Sequence, residues 1–148
     1  MAHLDDKQAT REDYFRTYFP LYKHFSWQGV QFQLIRAPHV GDKMPSYGLM
    51  ICRDKKRVYI TTDVSFDLER LRPHYEKADL IIQDCQTDGH SNVHPSFEEL
   101  QDLPLEIKAK MHLVHYQDNV LNDWTHWQSG AQESGFKGFL WPGETLWI

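Results

Sequence analysis

The sequence predicts an α/β domain in which helices flank a sheet, and three stretches support this class. Residues 30–37, VQFQLIRA, alternate apolar and polar side chains with the period of a half-buried strand. SYGLMICR and RVYITTD, at 46–53 and 57–63, are apolar stretches separated by the short polar loop Asp54-Lys55-Lys56, which is typical of a hairpin. Residues 78–84, ADLIIQD, form a continuous apolar run of the kind found in a buried central strand.

The first 25 residues are predicted to form a polar tail followed by an aromatic helix. Thr10 is a suitable N-cap, and Pro20 ends the helix or starts a turn. One helical face carries four aromatic residues, Tyr14, Phe15, Tyr18 and Phe19. Such a face normally packs on a core, and the alternative is that it covers an exposed sheet face or docks a second subunit.

Turn signals then divide the chain. Trp27-Gln28-Gly29 is predicted to be a turn, and the Pro- and Gly-containing stretch at 38–45 a loop. Residues 66–78 suit a short helix before the ADLIIQD strand.

The C-terminal half is predicted to begin with the polar loop 84–95. Ser96 and Glu99 form a capping-box pattern at the start of FEELQDL, and KMHLVHY at 110–116 is a further strand. Residues 117–135 are predicted to be irregular. FKGFLW and ETLWI, split by Pro142-Gly143, are predicted to form a terminal hairpin.

Composition limits the possible classes of protein. A chain of 148 residues suits one domain, and the net charge of −5 argues against a protein built mainly to coat nucleic acid. Two cysteines cannot form a disulfide framework, so we expect a reducing compartment, the cytoplasm. The chain has no apolar run of 18 residues and begins with a polar stretch, so we expect neither a membrane span nor a signal peptide.

Titratable side chains follow the ends of several predicted strands. The sequence has nine histidines, and histidine is the commonest metal ligand and a good acid or base near neutral pH. Five residues combine this chemistry with such a position: His39, Asp63, Asp84, His94 and His115. Taken singly, each also has an ordinary interpretation, such as a solvated loop histidine or a helix-capping aspartate.

The order of these segments resembles the C-terminal half of the metallo-β-lactamase superfamily. The relevant residues run RAPHV, SYGLMI, VYITTDVSF, ADLIIQDC, HPSFEEL and KMHLVHYQD, and the resemblance covers roughly residues 26–148. It is strongest to the phosphodiesterase and ribonuclease Z branch, which includes cyclic-nucleotide-degrading members such as the anti-Pycsar phage enzymes. The resemblance implies a truncated metallo-β-lactamase-like fold, half of an αββα sandwich. The predicted domains are therefore a tail with a helix at 1–25 and a half-domain at 26–148.

The resemblance also implies a role for each of the five residues. His39, Asp63 and His115 would be metal ligands, with Asp63 bridging two ions, either zinc or manganese. Asp84 and His94 would handle protons during phosphodiester cleavage, with Asp84 orienting His94 as the proton donor to the leaving alkoxide. His90 is a further candidate in the same loop as His94.

The main signature of that superfamily, His-x-His-x-Asp-His, is not found in this sequence. The matched positions supply two protein ligands per metal, whereas a catalytic zinc normally has three. We therefore expect either a homodimer or a partner chain that supplies the missing N-terminal half, with a small phosphodiester as substrate. The alternative is a non-catalytic binding or interaction module on the same scaffold.

Four tryptophans cluster late in the sequence: Trp124, Trp127, Trp141 and Trp147. Packing of the terminal hairpin is their ordinary interpretation. Base stacking on one of them is the alternative.

Overall fold

A computed structural model describes residues 23–39, 46–90 and 92–147. Its seven strands form one sheet in which each strand pairs with its neighbours in the chain. They are β1 His24–Trp27, β2 Val30–Arg36, β3 Tyr47–Arg53, β4 Lys56–Ile60, β5 Leu80–Asp84, β6 Met111–Val114 and β7 Gly138–Phe139. The helices are α1 Leu68–Lys77, α2 Phe97–Gln101, α3 Leu105–Lys108, α4 Asp118–Asn122 and α5 Trp124–Glu133. The predicted α/β class is confirmed; the aromatic helix predicted around residues 10–20 lies outside the described residues.

The first four strands are antiparallel because two tight turns connect them. Gln28 and Gly29 have φ of 47° and 78°, and Trp27 pairs with Val30 across this turn. Asp54 and Lys55 have φ of 49° and 68°. Two residues with positive φ are typical of the two-residue hairpin turn whose twist matches that of the strands.

The sequence prediction was incomplete at both turns. It missed β1, which precedes the predicted Gln28-Gly29 turn as HFSW. It also counted Lys56 in the loop of the second hairpin, whereas Lys56 pairs with Arg53 and begins β4.

Strand pairing in the sheet changes from antiparallel to parallel at β4. From β4 to β7 the neighbouring strands are parallel, so each is reached through a helical connection. Asp67 caps α1 by accepting a hydrogen bond from the Arg70 amide at 3.2 Å. The capping box predicted at Ser96 and Glu99 is confirmed at the start of α2.

The helices cover one face of the sheet, and the core lies between them. Register and alternation place five buried residues on this face: Tyr59, Ile81, Met111, Leu113 and Phe139. Tyr75 of α1 contacts Tyr59, while Phe97 of α2 and Trp127 of α5 contact Phe139, so helices from both halves of the chain share this face.

The opposite face of the sheet is also apolar but only half-buried within the described residues. We call it the open sheet face and define it by six side chains: Phe25, Phe32, Leu49, Ile51, Ile60 and Ile82. At its β1 end, Phe25 and Phe32 stack with ring centroids 4.9 Å apart.

Two C-terminal predictions were wrong. Residues 117–135 are largely helical, because Val120, Trp124, Trp127 and Ala131 face the core at helical spacing and Asp123 caps α5. The terminal segment forms no hairpin: β7 pairs parallel to β6, and residues 140–147 form no strand. A turn does occur at Pro142-Gly143.

Gly48 provides a test of the close approach of β3 to the end of β4. A Cβ atom at this position would lie 2.9 Å from the Ile60 carbonyl oxygen and 3.0 Å from that of Thr61. We expect Gly48→Ala to lower the free energy of unfolding, measured in urea, by about 1–3 kcal/mol. Gly130→Ala is the control, because Gly130 lies in α5 with open space around it. Gly130→Ala should not lower the free energy of unfolding. Equal stability of Gly48→Ala and Gly130→Ala would contradict the expectation.

His112 provides a test of burial on β6. Its half-buried position lowers its pKa below the ordinary 6.5; Lys137 adds to this effect and Glu144 opposes it. Below about pH 6.5, His112 binds a proton more readily in the unfolded state than in the folded state. The free energy of unfolding therefore decreases as pH falls. We expect the stability difference between the parent chain and His112→Gln to be constant above pH 7.

The same difference should then shrink as pH falls from about 6.5. Urea unfolding at a series of pH values measures it. His74 has its pKa lowered in the same direction by burial, and subtracting the variant removes its contribution. A difference that grows on acidification would contradict the sign.

Candidate functional site

The topology brings the five predicted residues to one edge of the sheet. β4, β5 and β6 are parallel, and Asp63, Asp84 and His115 lie at or just after their carboxyl ends. β2 runs in the same direction, since both are antiparallel to β3, and His39 follows its end. Ligand sites in α/β sheets collect at such an edge.

Asp84 is the buried centre of this cluster, with 1% of its surface exposed. Its Oδ2 accepts hydrogen bonds from the Val64 amide at 3.0 Å and from His94 Nδ1 at 2.8 Å. Its Oδ1 accepts one from His115 Nδ1 at 2.8 Å. A buried carboxylate needs such partners to offset the loss of hydration.

These hydrogen bonds fix the orientation of two imidazoles. A carboxylate only accepts, so His94 and His115 each donate through Nδ1–H. The second ring nitrogen, Nε2, therefore points away from Asp84 on both residues. A carboxylate behind a histidine is the usual arrangement for holding a metal-ligating or proton-transferring imidazole. The prediction paired Asp84 with His94 and missed its bond to His115.

His39 is oriented by a backbone carbonyl instead of a carboxylate. Its Nδ1 lies 3.0 Å from the Val93 oxygen, and its own carbonyl accepts from Ser65 Oγ at 3.0 Å. Its Nε2 lies 4.0 Å from Asp63 Oδ2. His39 therefore directs a free ring nitrogen towards Asp63.

Asp63 lies between two histidines, with its side chain 52% exposed. While Oδ2 faces His39, Oδ1 lies 3.9 Å from His115 Nδ1. Each carboxylate oxygen thus faces a different imidazole. The Nδ1 atom of His115 already donates to Asp84, so its contact with Asp63 does not involve the ring nitrogen that a metal would use. The exposed carboxylate of Asp63 remains accessible to a ligand.

The three imidazole rings form a row. The His94 ring lies 4.6 Å from the His39 ring and 4.7 Å from the His115 ring, measured between centroids. Both ring pairs are tilted, by 55° and 59°. His94 is therefore within a few ångströms of both candidate metal ligands.

Backbone geometry and a polar contact support the two loops that carry His94 and His115. His115 has φ of 64°, a left-handed conformation that turns the chain sharply at the end of β6. The Thr87 amide donates to Gln117 Oε1 at 2.6 Å, and Asn119 Nδ2 donates to the Thr87 carbonyl at 2.9 Å. Sequence reasoning missed this contact, because Thr87 and Gln117 carry no motif.

The donor set fits a divalent metal ion. Zinc bonds to imidazole nitrogen and carboxylate oxygen at about 2.0–2.2 Å, so two ligands of one ion lie within about 4.3 Å of each other. The separation of 4.0 Å between His39 Nε2 and Asp63 Oδ2 falls within this limit. A second cluster, Asp84, His94 and His115, has donor atoms within 4.8 Å of one another and could also hold a metal.

Hydrogen bonding favours His39 and Asp63 over Asp84 as metal ligands. Both oxygens of Asp84 are already occupied by histidine Nδ1–H groups, and the residue is buried. Asp84 is therefore better placed to orient ligands than to be one. The individual roles of the five residues remain predictions, and His90, the further candidate, is an exposed residue of the same loop as His94.

A groove of about 530 Å³ lies elsewhere on the molecule. It opens beside the start of β4 and the end of α1, and its lining includes His24, Met50, Cys52 and Arg57. None of the five candidate residues lines it. The chemistry therefore concentrates at the sheet edge and not in the larger groove.

Comparison with known proteins identifies the family of this chain. The model of the Anti-Pycsar protein Apyc1 family matches residues 1–146. The chain belongs to this family. It is 32% identical over 93 residues to the Anti-Pycsar protein Apyc1 of Paenibacillus sp. (strain J14), which covers 62% of the chain and 36% of that relative. The Saccharibacillus brassicae protein of the same name is 32% identical over 89 residues, which covers 59% of the chain and 35% of the relative.

Solved structures confirm the fold. The metallo-β-lactamase fold protein YhfI from Bacillus subtilis matches with a TM-score of 0.60 and 21% identity, over 83% of this chain and 50% of YhfI. A diphosphatase of the PhnP family matches with a TM-score of 0.50 and 16% identity, over 64% of this chain and 35% of the other. The described part of the chain thus has a metallo-β-lactamase-type α/β fold, as the resemblance implied. It spans about a third of the length of the curated relatives.

Among the described residues, the cluster of Asp84, His94 and His115 could hold a metal ion. No helix among the described residues is both long and apolar enough to cross a membrane.

The bonding of Asp84 can be tested through metal affinity. We expect Asp84→Asn to weaken Zn²⁺ binding, measured by isothermal titration calorimetry, by about 10- to 100-fold, because it disturbs the group that orients His94 and His115. Asp67→Asn is the control, since asparagine caps a helix as well as aspartate and Asp67 lies at the start of α1. Unchanged zinc affinity in Asp84→Asn would contradict the role given to the carboxylate.

Proposed function

We propose that this chain carries half of the active site of a metal-dependent phosphodiesterase that degrades cyclic nucleotides. The observation that carries the proposal is the buried Asp84 carboxylate, which holds His94 and His115 by their Nδ1 atoms beside His39 and Asp63. A purely structural remnant has no physical need for three oriented imidazoles and two carboxylates at one sheet edge.

His39, Asp63 and His115 would hold the metal, the two histidines through the Nε2 atoms that their Nδ1 contacts leave turned away from Val93 and Asp84. A metal bound there would supply an activated water and neutralise charge on the phosphodiester. Zinc and manganese both accept this mixture of nitrogen and oxygen ligands. In this scheme the chain's own contribution is to fix the direction of each ligand through the bonds to Asp84 and Val93.

His94 would act as the general acid. With Nδ1–H donated to Asp84, a proton carried on Nε2 is directed away from the carboxylate and can pass to the leaving alkoxide as the P–O bond breaks. The bond to Asp84 fixes the orientation of the His94 ring during this step. Asp84 is thus a positioning residue, and His94 is the residue that touches the reacting atoms.

The choice of substrate rests on the relatives. They are named Anti-Pycsar protein, and we interpret that name as a role against cyclic-nucleotide signalling. A cyclic mononucleotide contains one phosphodiester and fits chemistry of the kind described. The two free cysteines, Cys52 and Cys85, suit the cytoplasm, where such nucleotides act.

A second molecule would complete the site. Two protein ligands per metal are fewer than the three of a normal catalytic zinc site, so we propose that a second copy or another chain adds ligands. The open sheet face supports this step. Its half-buried side chains, such as Phe32, Ile51 and Ile60, would be stabilised if a second molecule removed them from water.

A non-catalytic role is the alternative. The absence of His-x-His-x-Asp-His from the sequence favours it, because that signature supplies most of the metal ligands in the superfamily the chain resembles. A binding module on this scaffold would retain the fold and bind a cyclic nucleotide or a protein without cleaving it.

Metal binding and hydrolysis together test the proposal. We expect the purified chain to bind Zn²⁺ or Mn²⁺ and to hydrolyse cyclic UMP, with His39→Ala and His115→Ala each weakening metal binding at least tenfold. His94→Ala should keep the metal and lower kcat by about 10²- to 10⁴-fold, because it removes only the acid. His126→Ala, at an exposed position of α5, is the control.

The outcomes separate the two candidates. A chain that binds no metal at saturating concentration contradicts the enzyme. A chain that binds cyclic UMP but never cleaves it supports the binding module. Sedimentation analysis at several concentrations tests the pairing, and a monomer that is fully active alone would contradict the need for a second molecule.

A further inference from the structure

Trp141 follows the end of β7, the strand that pairs with β6 and therefore with the segment that leads to His115. In the parallel pairing of β6 and β7, Leu113 is opposite Phe139, and the Leu140 amide donates to the Leu113 carbonyl at 3.0 Å. His115 follows Leu113 by two residues, and Trp141 follows Phe139 by two residues. Neighbouring strands lie about 4.8 Å apart, so the segments that lead to His115 and Trp141 leave the sheet side by side.

A second contact keeps the two segments together beyond the end of the sheet. The hydroxyl group of Tyr116, the residue after His115, donates to the carbonyl oxygen of Leu140 at 2.6 Å. Leu140 immediately precedes Trp141. This hydrogen bond therefore connects the segment that contains His115 to the segment that contains Trp141, beyond the ends of β6 and β7.

The indole of Trp141 is held rigidly. The Trp141 amide donates to Glu144 Oε2 at 3.0 Å, and the Glu144 amide donates back to the Trp141 carbonyl at 3.0 Å. Gly143 has φ of 88° in this turn, a conformation that glycine adopts easily. The ring itself packs edge-on against Trp124, with centroids 4.9 Å apart and planes at 90°.

Despite this support, Trp141 is 50% exposed. Trp124 and Trp127, by contrast, are partly buried and pack against the core. The terminal hairpin that would have explained Trp141 as packing does not form. The exposed half of this indole is a large flat surface. Because its neighbours already restrict the side chain, it loses little conformational entropy when another flat group binds to it.

We propose that Trp141 is the platform on which the base of a nucleotide stacks while its phosphate lies at the cluster of His39, Asp63, His94 and His115. The inference rests on the proposed function and adds a specific contact for the substrate. In a cyclic nucleotide the base is one sugar ring away from the phosphate, and Trp141 and His115 follow the ends of neighbouring strands. Stacking tolerates different bases because every base has a π-face, so it predicts recognition of the nucleoside class more than of one base.

Two ligands distinguish the contribution of the base to affinity from that of the phosphate. One is cyclic UMP and the other is methyl riboside 3,5-cyclic phosphate, which lacks a base, each as its hydrolysis-resistant phosphorothioate. Affinities for the zinc-loaded full chain are measured by isothermal titration calorimetry. We expect Trp141→Ala to weaken binding of the nucleotide by about 5- to 150-fold and to leave the base-free ligand unchanged.

Two further variants act as controls. Trp141→Phe keeps an aromatic ring and should retain most of the affinity for the nucleotide. Trp147→Ala removes a tryptophan that is 92% exposed and should leave both affinities unchanged. Urea unfolding of Trp141→Ala checks that the fold persists, and Trp141→Phe keeps the inference testable if that variant is unstable.

Each remaining outcome decides between ideas. If the chain binds both ligands equally and Trp141→Ala has no effect, stacking is overturned while the phosphodiesterase proposal stands. If neither ligand binds the zinc-loaded chain, both proposals fail. If Trp141→Ala instead abolishes self-association and weakens both ligands equally, Trp141 belongs to a protein interface and the stacking inference is wrong.

Discussion

The carboxylate of Asp84 is the interaction on which the candidate site depends. It receives bonds from the Val64 amide, His94 and His115, so one buried side chain connects the loops that follow β4, β5 and β6. A buried charge is tolerated only when such partners surround it, and removing a partner leaves it uncompensated. The geometry of the site and the local stability of these loops are therefore set by the same group.

The convergence of the site residues follows from strand direction. An antiparallel meander would place alternate strand ends at opposite edges, whereas the parallel run from β4 to β6 places three carboxyl ends together. The helical connections that allow this also supply the core, since α1 and α5 pack on the same face of the sheet. The chemistry thus lies where the backbone is best fixed and the loops remain free to carry polar groups.

Much of the fold could be predicted from local sequence patterns. Alternation in VQFQLIRA and the apolar run ADLIIQD predicted β2 and β5, because these segments have clear periods. Asp118–Asn122 and Trp124–Glu133 were missed, because their polar residues conceal the spacing of Trp124, Trp127 and Ala131. The short β7 could not be predicted, since two residues form no pattern and the pairing depends on distant β6.

The candidate site was predicted from order and context, not from spacing. His39, Asp63, Asp84, His94 and His115 lie far apart in the chain, and only the resemblance to a family grouped them. The structure brings them together, but the bond from His115 to Asp84 depends on a left-handed backbone at His115, which no residue type specifies.

The open sheet face has a consequence for how the chain behaves in solution. Side chains such as Phe32, Ile51 and Ile60 are half-buried within the described residues, so any molecule that binds there only when the chain is folded raises its melting temperature by mass action. With a partner on this face, the thermal stability of the chain would depend on the concentration of that partner. Stability measured on the chain alone in dilute solution would then understate that of such a complex.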